Sequence, residues 1–217
     1  MGFFTPLLDL LYPPRCAFCR KLVKSGETVC GHCRDTLPYT VGNSVEKHGD
    51  FFQVCVAPLY YEKDVRESLH RYKFGEATGY ADAYAPLVAD CVRDRLTGEY
   101  DLISWVPLSR KRLRERGYDQ SKLLAEAVAP LLGGEAVSTL EKPKDVAKQS
   151  TVGSAEKRRA NIAGAYRVPD AGRIGGKRIL LIDDIVTTGS TLGECARTLL
   201  EAGAERVVCA AVARTRD

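Results

Sequence analysis

Gly175-Gly176-Lys177-Arg178-Ile179-Leu180-Leu181-Ile182-Asp183-Asp184-Ile185-Val186-Thr187-Thr188-Gly189-Ser190-Thr191-Leu192 decides the fold class. Two glycines and two cations turn into the short aliphatic run Ile179–Ile182, which reads as a buried strand. A polar loop follows, then a helix expected to run through about Ala202 and to stop at Gly203. The apolar run VVCAAVA over 207–213 reads as a second buried strand. Strand, loop, helix, strand is a βαβ unit. Its polar loop opens at the carboxyl end of the first strand, where ligands bind in open α/β sheets.

The loop sorts its own chemistry. Two acids, Asp183 and Asp184, stand at its entry, and Thr187, Thr188, Gly189, Ser190 and Thr191 stand just before the helix. Backbone N–H groups at a helix start, with hydroxyls around them and a glycine that admits close approach, form a cradle for a phosphate dianion. Carboxylates repel that anion and instead suit sugar hydroxyls or a hydrated divalent cation. One loop therefore fits a sugar phosphate. Neither G-K-[ST] nor G-x-G-x-x-G occurs in it.

Upstream, FFQVCVAPLYY (51–61) reads as a buried strand ending near Pro58 or shortly after, and 64–73 as a helix with a basic end. A second helix is expected over 80–96, where Tyr84, Leu87, Val88, Cys91, Val92 and Leu96 recur at helical spacing. Residues 101–106 read as a strand broken by Pro107, and Asp119 as the N-cap of a helix from Gln120 to about Leu132, closed by Gly133-Gly134. Residues 141–160 are polar, basic and without period. They read as a long loop with a short helix near 155–160, and loops of that length tend to be functional.

The chain has eight cysteines, and four of them, Cys16, Cys19, Cys30 and Cys33, form two C-x2-C pairs. Two such knuckles supply the four thiolates that tetrahedral zinc prefers. Redox pairs or disulfides are the competing readings, disfavoured by the close spacing of the pairs and the lack of a surrounding βαβ pattern. Cys55, Cys91, Cys195 and Cys209 lie singly in apolar surroundings and read as packed thiols. The first 50 residues are too poor in apolar side chains to build a core alone, so metal is expected to contribute their folding energy. The chain is therefore divided into a zinc-binding module, 1–50, and an α/β domain, 51–217.

The remaining totals exclude little. In 217 residues, 45% are hydrophobic and 28% charged, an ordinary globular balance, and the net charge of +4 does not mark the whole chain as a nucleic-acid binder. The opening MGFFTPLLDLLYPPRC lacks a charged n-region and is too short to span a bilayer, so no membrane insertion and a cytoplasmic location are expected. Basic residues do cluster locally, at Arg110, Lys111, Arg112, Arg114 and Arg116. A solvated face, diphosphate binding and nucleic-acid contact all fit that cluster.

ILLIDDIVTTGST resembles the 5-phosphoribosyl-1-pyrophosphate (PRPP) signature of type I phosphoribosyltransferases. Together with the four-cysteine knuckle, WVPLSRKRLRERGYDQ, KQSTVGSAEKRRANIAGAY and the terminal ART, the chain is identified as resembling the ComF family of competence-associated proteins over essentially its whole length. The resemblance implies a mostly parallel sheet flanked by helices and preceded by the zinc module. It implies that Asp183 and Asp184 hold the ribose hydroxyls and that Thr187 to Thr191 take the 5′-phosphate. Ser109, Arg110, Lys111 and Arg112 fall at the pyrophosphate loop, and Lys157, Arg158 and Arg159 in the mobile hood become candidates for contacting the diphosphate. Magnesium would accompany PRPP, and structural zinc the cysteines. Lys73, before Phe74-Gly75, resembles a further family feature and reads either as a diphosphate contact or as a solvent-facing lysine. Purine-salvage members carry a carboxylate where this chain has Thr187, which argues against a purine acceptor.

Two functions are compatible with these residues. One is magnesium-dependent transfer of ribose 5-phosphate from PRPP to an unidentified nucleophile. The other is a non-catalytic, PRPP-sensing accessory protein that contacts single-stranded DNA and other DNA-uptake proteins.

Overall fold

A computed structural model describes residues 13–75, 78–143 and 164–216. Its strands are β1 (Glu46–Lys47), β2 (Cys55–Val56), β3 (Leu59–Tyr60), β4 (Leu102–Trp105), β5 (Arg178–Val186) and β6 (Arg206–Arg214). They form one sheet in the order β1-β2-β6-β5-β4, with β3 also on β6, and every pairing except β1 with β2 is parallel. The expected α/β architecture with a mostly parallel sheet is what the chain forms. The helices are α1 (Gly31–Thr36), α2 (Lys63–Phe74), α3 (Tyr80–Leu96), α4 (Arg110–Arg116), α5 (Gln120–Leu131) and α6 (Ser190–Glu201).

Helices cover both faces of β5 and β6, so these strands are almost continuously apolar instead of alternating. Leu180 and Ile182 pack in one core with Val88 and Val92 of α3 and Leu124 and Val128 of α5. Ile179 and Leu181 face a second core with Cys195 and Leu199 of α6. Cys55, Cys195 and Cys209 are buried there as packed thiols, and Cys91 is half-buried on α3.

Two expectations need correction. The strand read at Ile179–Ile182 runs on through Val186, because β6 is equally long and continues the ladder through Asp183↔Ala211, Ile185↔Ala213 and Val186↔Arg214. Asp183 and Asp184 therefore belong to a strand and not to a loop. The strand read over 51–61 is shorter and interrupted, as β2 and β3, which keep one register along β6. Pro58 between them has no N–H to donate, while its carbonyl accepts from Thr40 N at 2.9 Å. Phe51 takes a positive φ of 69° and Phe52 turns into the α6 core.

The other boundaries agree within a residue or two: α2, α3, α5 and β6 lie where periodicity placed them, and β4 within 101–106. Asp119 caps α5, its Oδ1 accepting from Ser121 N and Lys122 N at 3.1 Å each. The expected short helix near 155–160 lies outside the described residues, as does most of the N-terminal apolar stretch. Among the described residues, no helix is long and apolar enough to cross a membrane.

Candidate functional site

Asp183 and Asp184 are consecutive on β5, so their side chains leave opposite faces of the sheet near its carboxyl edge. Both are buried, at 8% and 4% exposure. Asp183 Oδ1 accepts from Ser121 Oγ at 2.8 Å and from Asp184 N at 2.9 Å. Burial first, and the neighbouring Asp184 charge second, push the Asp183 carboxyl up to about 7. Asp184 Oδ2 lies 2.9 Å from Lys73 Nζ, yet among the described residues it has no partner in hydrogen-bonding geometry. A buried carboxylate oxygen in that state suits an incoming hydroxyl or hydrated cation.

These acids form the floor of a cleft of about 340 Å³. Thr187 and Thr191 line one wall, and Pro107, Leu108 and Ser109, following β4, line another. Four cationic side chains, Lys73, Arg112, Arg116 and Lys142, complete the lining. The strand-end loop is held in place by Asp119, whose Oδ2 accepts from Leu108 N at 2.9 Å while Oδ1 caps α5. Burial raises the Asp119 carboxyl, against the lowering effect of those three backbone bonds. Ser109, itself buried, caps α4 by accepting from Arg112 N at 3.4 Å.

The helical form of 110–116 sorts the basic cluster. Arg112 and Arg116 are four apart and share the face turned to the cleft, whereas Arg110, Lys111 and Arg114 are exposed and absent from its lining. Arg110 instead borders a separate cavity with Trp105 and Lys122. Arg116 donates to Gln120 Oε1 at 2.7 Å and lies 4.8 Å over the Phe74 ring, and burial lowers its pKa. Lys142 donates to Tyr166 OH at 2.9 Å, and burial keeps that phenol protonated by raising its pKa.

The phosphate-type loop divides too. Thr187 and Thr191 face the cleft, while Thr188, Gly189 and Ser190 border a cavity on its other side with Asp50 and Phe51. Gly189 has φ of 78°, and a Cβ there would stand 3.2 Å from Phe52 Cζ, so a side chain is opposed by both backbone and packing. Thr188 and Ser190 pair hydroxyls at 2.8 Å. Lys157, Arg158 and Arg159 lie outside the described residues.

Sequence reasoning did not single out Ser121, Lys142 or Tyr166, and Arg116 only as part of the basic cluster. The helical period of 110–116 would have separated Arg112 and Arg116 from the rest. No local pattern signals Ser121 or Lys142, which reach the cleft through tertiary packing.

The sulfur atoms of Cys16, Cys19, Cys30 and Cys33 all lie within 4.8 Å of one another, with Cys19 Sγ 3.6 Å from Cys30 Sγ. Four thiolates about 2.3 Å from one zinc stand about 3.8 Å apart, so the set fits a closed tetrahedral site. Cys30 also caps α1 through Sγ, and His32 points to solvent outside the cluster.

Comparison with known proteins agrees with both halves. Residues 7–57 match a double zinc ribbon domain and residues 122–217 a phosphoribosyl transferase domain. Competence protein F of Haemophilus influenzae is 29% identical over 92% of this chain and 90% of its own. The DNA utilization protein YhgH of Escherichia coli O157:H7 is 30% identical with the same coverage. Competence protein ComFC of Streptococcus pneumoniae is 32% identical over 68% of this chain and 62% of its own. A zinc ribbon docked on a phosphoribosyltransferase fold, with 30% identity along nine-tenths of both chains, makes this protein a member of the ComF family of competence and DNA utilization proteins.

Proposed function

We propose that the cleft binds PRPP with magnesium and that the chain transfers the ribose 5-phosphate group to an acceptor nucleophile. The observation that carries this reading is the convergence, in one 340 Å³ cleft, of two buried carboxylates, the Thr187 and Thr191 residues that flank a helix start, and four cationic side chains. In this reading residues 1–50 serve as the structural zinc module and 51–217 form the ligand-binding domain, in a reducing cytoplasmic setting that keeps the cysteines as thiolates.

Asp183 and Asp184 accept the ribose hydroxyls, Thr187 to Thr191 take the 5′-phosphate, and Ser109 and Arg112 face the diphosphate. Arg110 and Lys111, expected at the diphosphate, lie outside the cleft lining, while Lys157, Arg158 and Arg159, outside the described residues, remain candidates for holding the leaving group. Asp184 Oδ2, ion-paired with Lys73 but without a hydrogen bond in good geometry, would take the hydroxyl end of a magnesium–PRPP complex, and magnesium would supply charge neutralisation on the diphosphate. The C1–O bond to diphosphate breaks with its electron pair leaving on oxygen. An acceptor lone pair forms the new C1 bond, and the acceptor then loses a proton. Arg112, Arg116, Lys73 and Lys142 stabilise the negative charge that develops on the departing group. Thr187, where purine-salvage enzymes carry an acid, disfavours a purine acceptor.

Titration calorimetry with PRPP and magnesium, followed by pyrophosphate release against a panel of bases, amines and single-stranded DNA, tests this. Saturable binding abolished by Asp183→Asn with Asp184→Asn is the expected result; no binding to the zinc-loaded protein refutes the assignment.

A second reading, an accessory protein of DNA uptake that senses PRPP without turnover, is favoured by the exposure of Arg110, Lys111 and Arg114 outside the cleft. It predicts PRPP binding without pyrophosphate release. It also predicts DNA affinity that survives the Asp183 and Asp184 substitutions and falls with salt.

A further inference from the structure

The first cysteine knuckle is in direct contact with the helix that supplies Lys73. Between Cys16 and Cys19, the carbonyls of Ala17 and Phe18 turn outward toward α2. Ala17 O accepts from Ser68 Oγ at 2.7 Å and from Arg71 Nη2 at 3.1 Å, and Phe18 O accepts from the same Arg71 nitrogen at 2.6 Å. The Phe18 side chain is 1% exposed and meets the Tyr84 ring edge-on at 5.7 Å. Two residues beyond Arg71, Lys73 Nζ stands 2.9 Å from Asp184 Oδ2.

The end of α2 is gripped elsewhere as well. Tyr72 OH donates to Gln120 O at 2.7 Å, and Tyr118 OH donates to Tyr72 O. Gly75 N closes the helix on Arg71 O at 2.6 Å. These contacts and the buried Val65, Leu69 and Tyr72 fix the inner face of α2, while Ser68 and Arg71 tie its other edge to the knuckle, two residues from Lys73. A guanidinium donating to two carbonyls keeps that tie only while both carbonyls hold their orientation. Their orientation in turn depends on a turn whose flanking thiolates converge on one point.

We propose that Arg71 is a positioning residue: by clamping the first cysteine knuckle to α2 it holds the Lys73 ammonium against Asp184, so that closure of the metal site sets the geometry of the cleft. The proposal rests on the PRPP reading for its consequence in binding, but the geometry of Lys73 can be measured without PRPP.

The test uses the full chain loaded with zinc. Arg71→Met is expected to retain zinc by metal analysis, to raise acylation of Lys73 by acetic anhydride several-fold in peptide mass spectrometry, and to weaken magnesium–PRPP binding about tenfold. Arg71→Lys, which still donates to a carbonyl, restores most of both. In a Lys73→Met background, Arg71→Met has no further effect on PRPP affinity, because the route through Lys73 is already lost. Chelation of zinc from the unsubstituted protein raises Lys73 acylation to the Arg71→Met level.

Additive losses in the double variant, or unchanged Lys73 labelling after both Arg71→Met and chelation, overturn the proposal. If Arg71→Met loses its metal or fold, Ser68→Ala, which removes the other donor to Ala17 O, carries the same labelling comparison with Arg71→Lys as its conservative control. If the unsubstituted protein does not bind PRPP, the functional reading fails, while the labelling result still decides whether Arg71 positions Lys73.

Discussion

The cysteine module around Cys16–Cys33 and the βαβ unit from Arg178 to Arg214 hold their shapes by opposite means. In the βαβ unit, β5 and β6 are in register along their whole length and both faces are covered, so the strands are fixed by buried Val, Ile, Leu and Ala. The module places few residues in the core, chiefly Cys16, Ala17, Phe18, Cys33 and Leu37, on the surface formed by α2 and α3. Its remaining order comes from four converging sulfurs and a handful of carbonyl bonds. A feature held by apolar area survives the loss of any one group in part. A four-ligand metal site does not, because tetrahedral closure needs every ligand.

The sharpest way to break this contrast is at the metal. Cys30→Ser is expected to abolish zinc binding, where the intact chain returns about one zinc, and to remove amide-exchange protection from residues 15–37 while β5 and β6 stay protected. Zinc sites of this type contribute about 10–16 kcal/mol to folding of their modules. Uniform loss of protection across the sheet would show that the two regions fold as one unit.

Phe18→Ala attacks the joint between them. It empties a fully buried ring site against Tyr84 and is expected to cost about 3–5 kcal/mol in urea unfolding with zinc present.

Asp183 sharpens the βαβ side of the comparison through pH. Its folded carboxyl is raised to about 7 from an unfolded value near 4, so the folded state binds the proton more tightly. Its stabilising contribution is present below the unfolded value and is lost as pH rises toward 7. Asp183→Asn should flatten that slope in unfolding titrations. PRPP binding should run the other way, strengthening as pH rises through 7, because the carboxylate is the form that accepts the ribose hydroxyls.

Gly189→Ala is expected to cost about 1 kcal/mol or somewhat more, from φ of 78° and the approach of Phe52, with a larger effect on PRPP affinity than on stability. Arg114→Glu gives the smallest stability effect, within about 0.5 kcal/mol, since Arg114 is exposed. A loss of DNA affinity and of its salt slope in that variant, with PRPP binding intact, would separate the outer face of α4 from the cleft.

The elements of this fold were legible where one period ran unopposed. The apolar run before Asp183 announces a buried strand, the spacing from Tyr84 to Leu96 a helix, and Asp119 its neighbour's cap. Reading failed where a long-range partner decided the outcome. Nothing local says that Asp183 to Val186 continue a strand, because that depends on the length of β6. Pro58, by contrast, marks its own interruption: the flanking pairs meet β6 in one continuous register, Cys55↔Cys209 to Tyr60↔Arg214, broken where proline has no N–H to donate. In the cleft, the acids and the threonine loop are visible as a motif because they are contiguous. Ser121, Lys142 and Tyr166 arrive from separate elements and carry no mark of their destination.

By itself, then, the sequence determined the chemistry available: four thiolates at knuckle spacing, two adjacent acids beside a phosphate-type loop, and a cluster of cations at 110–116. Tertiary structure decided which of these meet. It turned Arg112 and Arg116 inward and left Arg110, Lys111 and Arg114 outside, set Lys73 against Asp184, and seated the first knuckle on α2. The physical reason is that residue type and spacing specify local donors and periodicity, whereas the direction of a side chain in a cleft is set by packing among elements far apart in the chain.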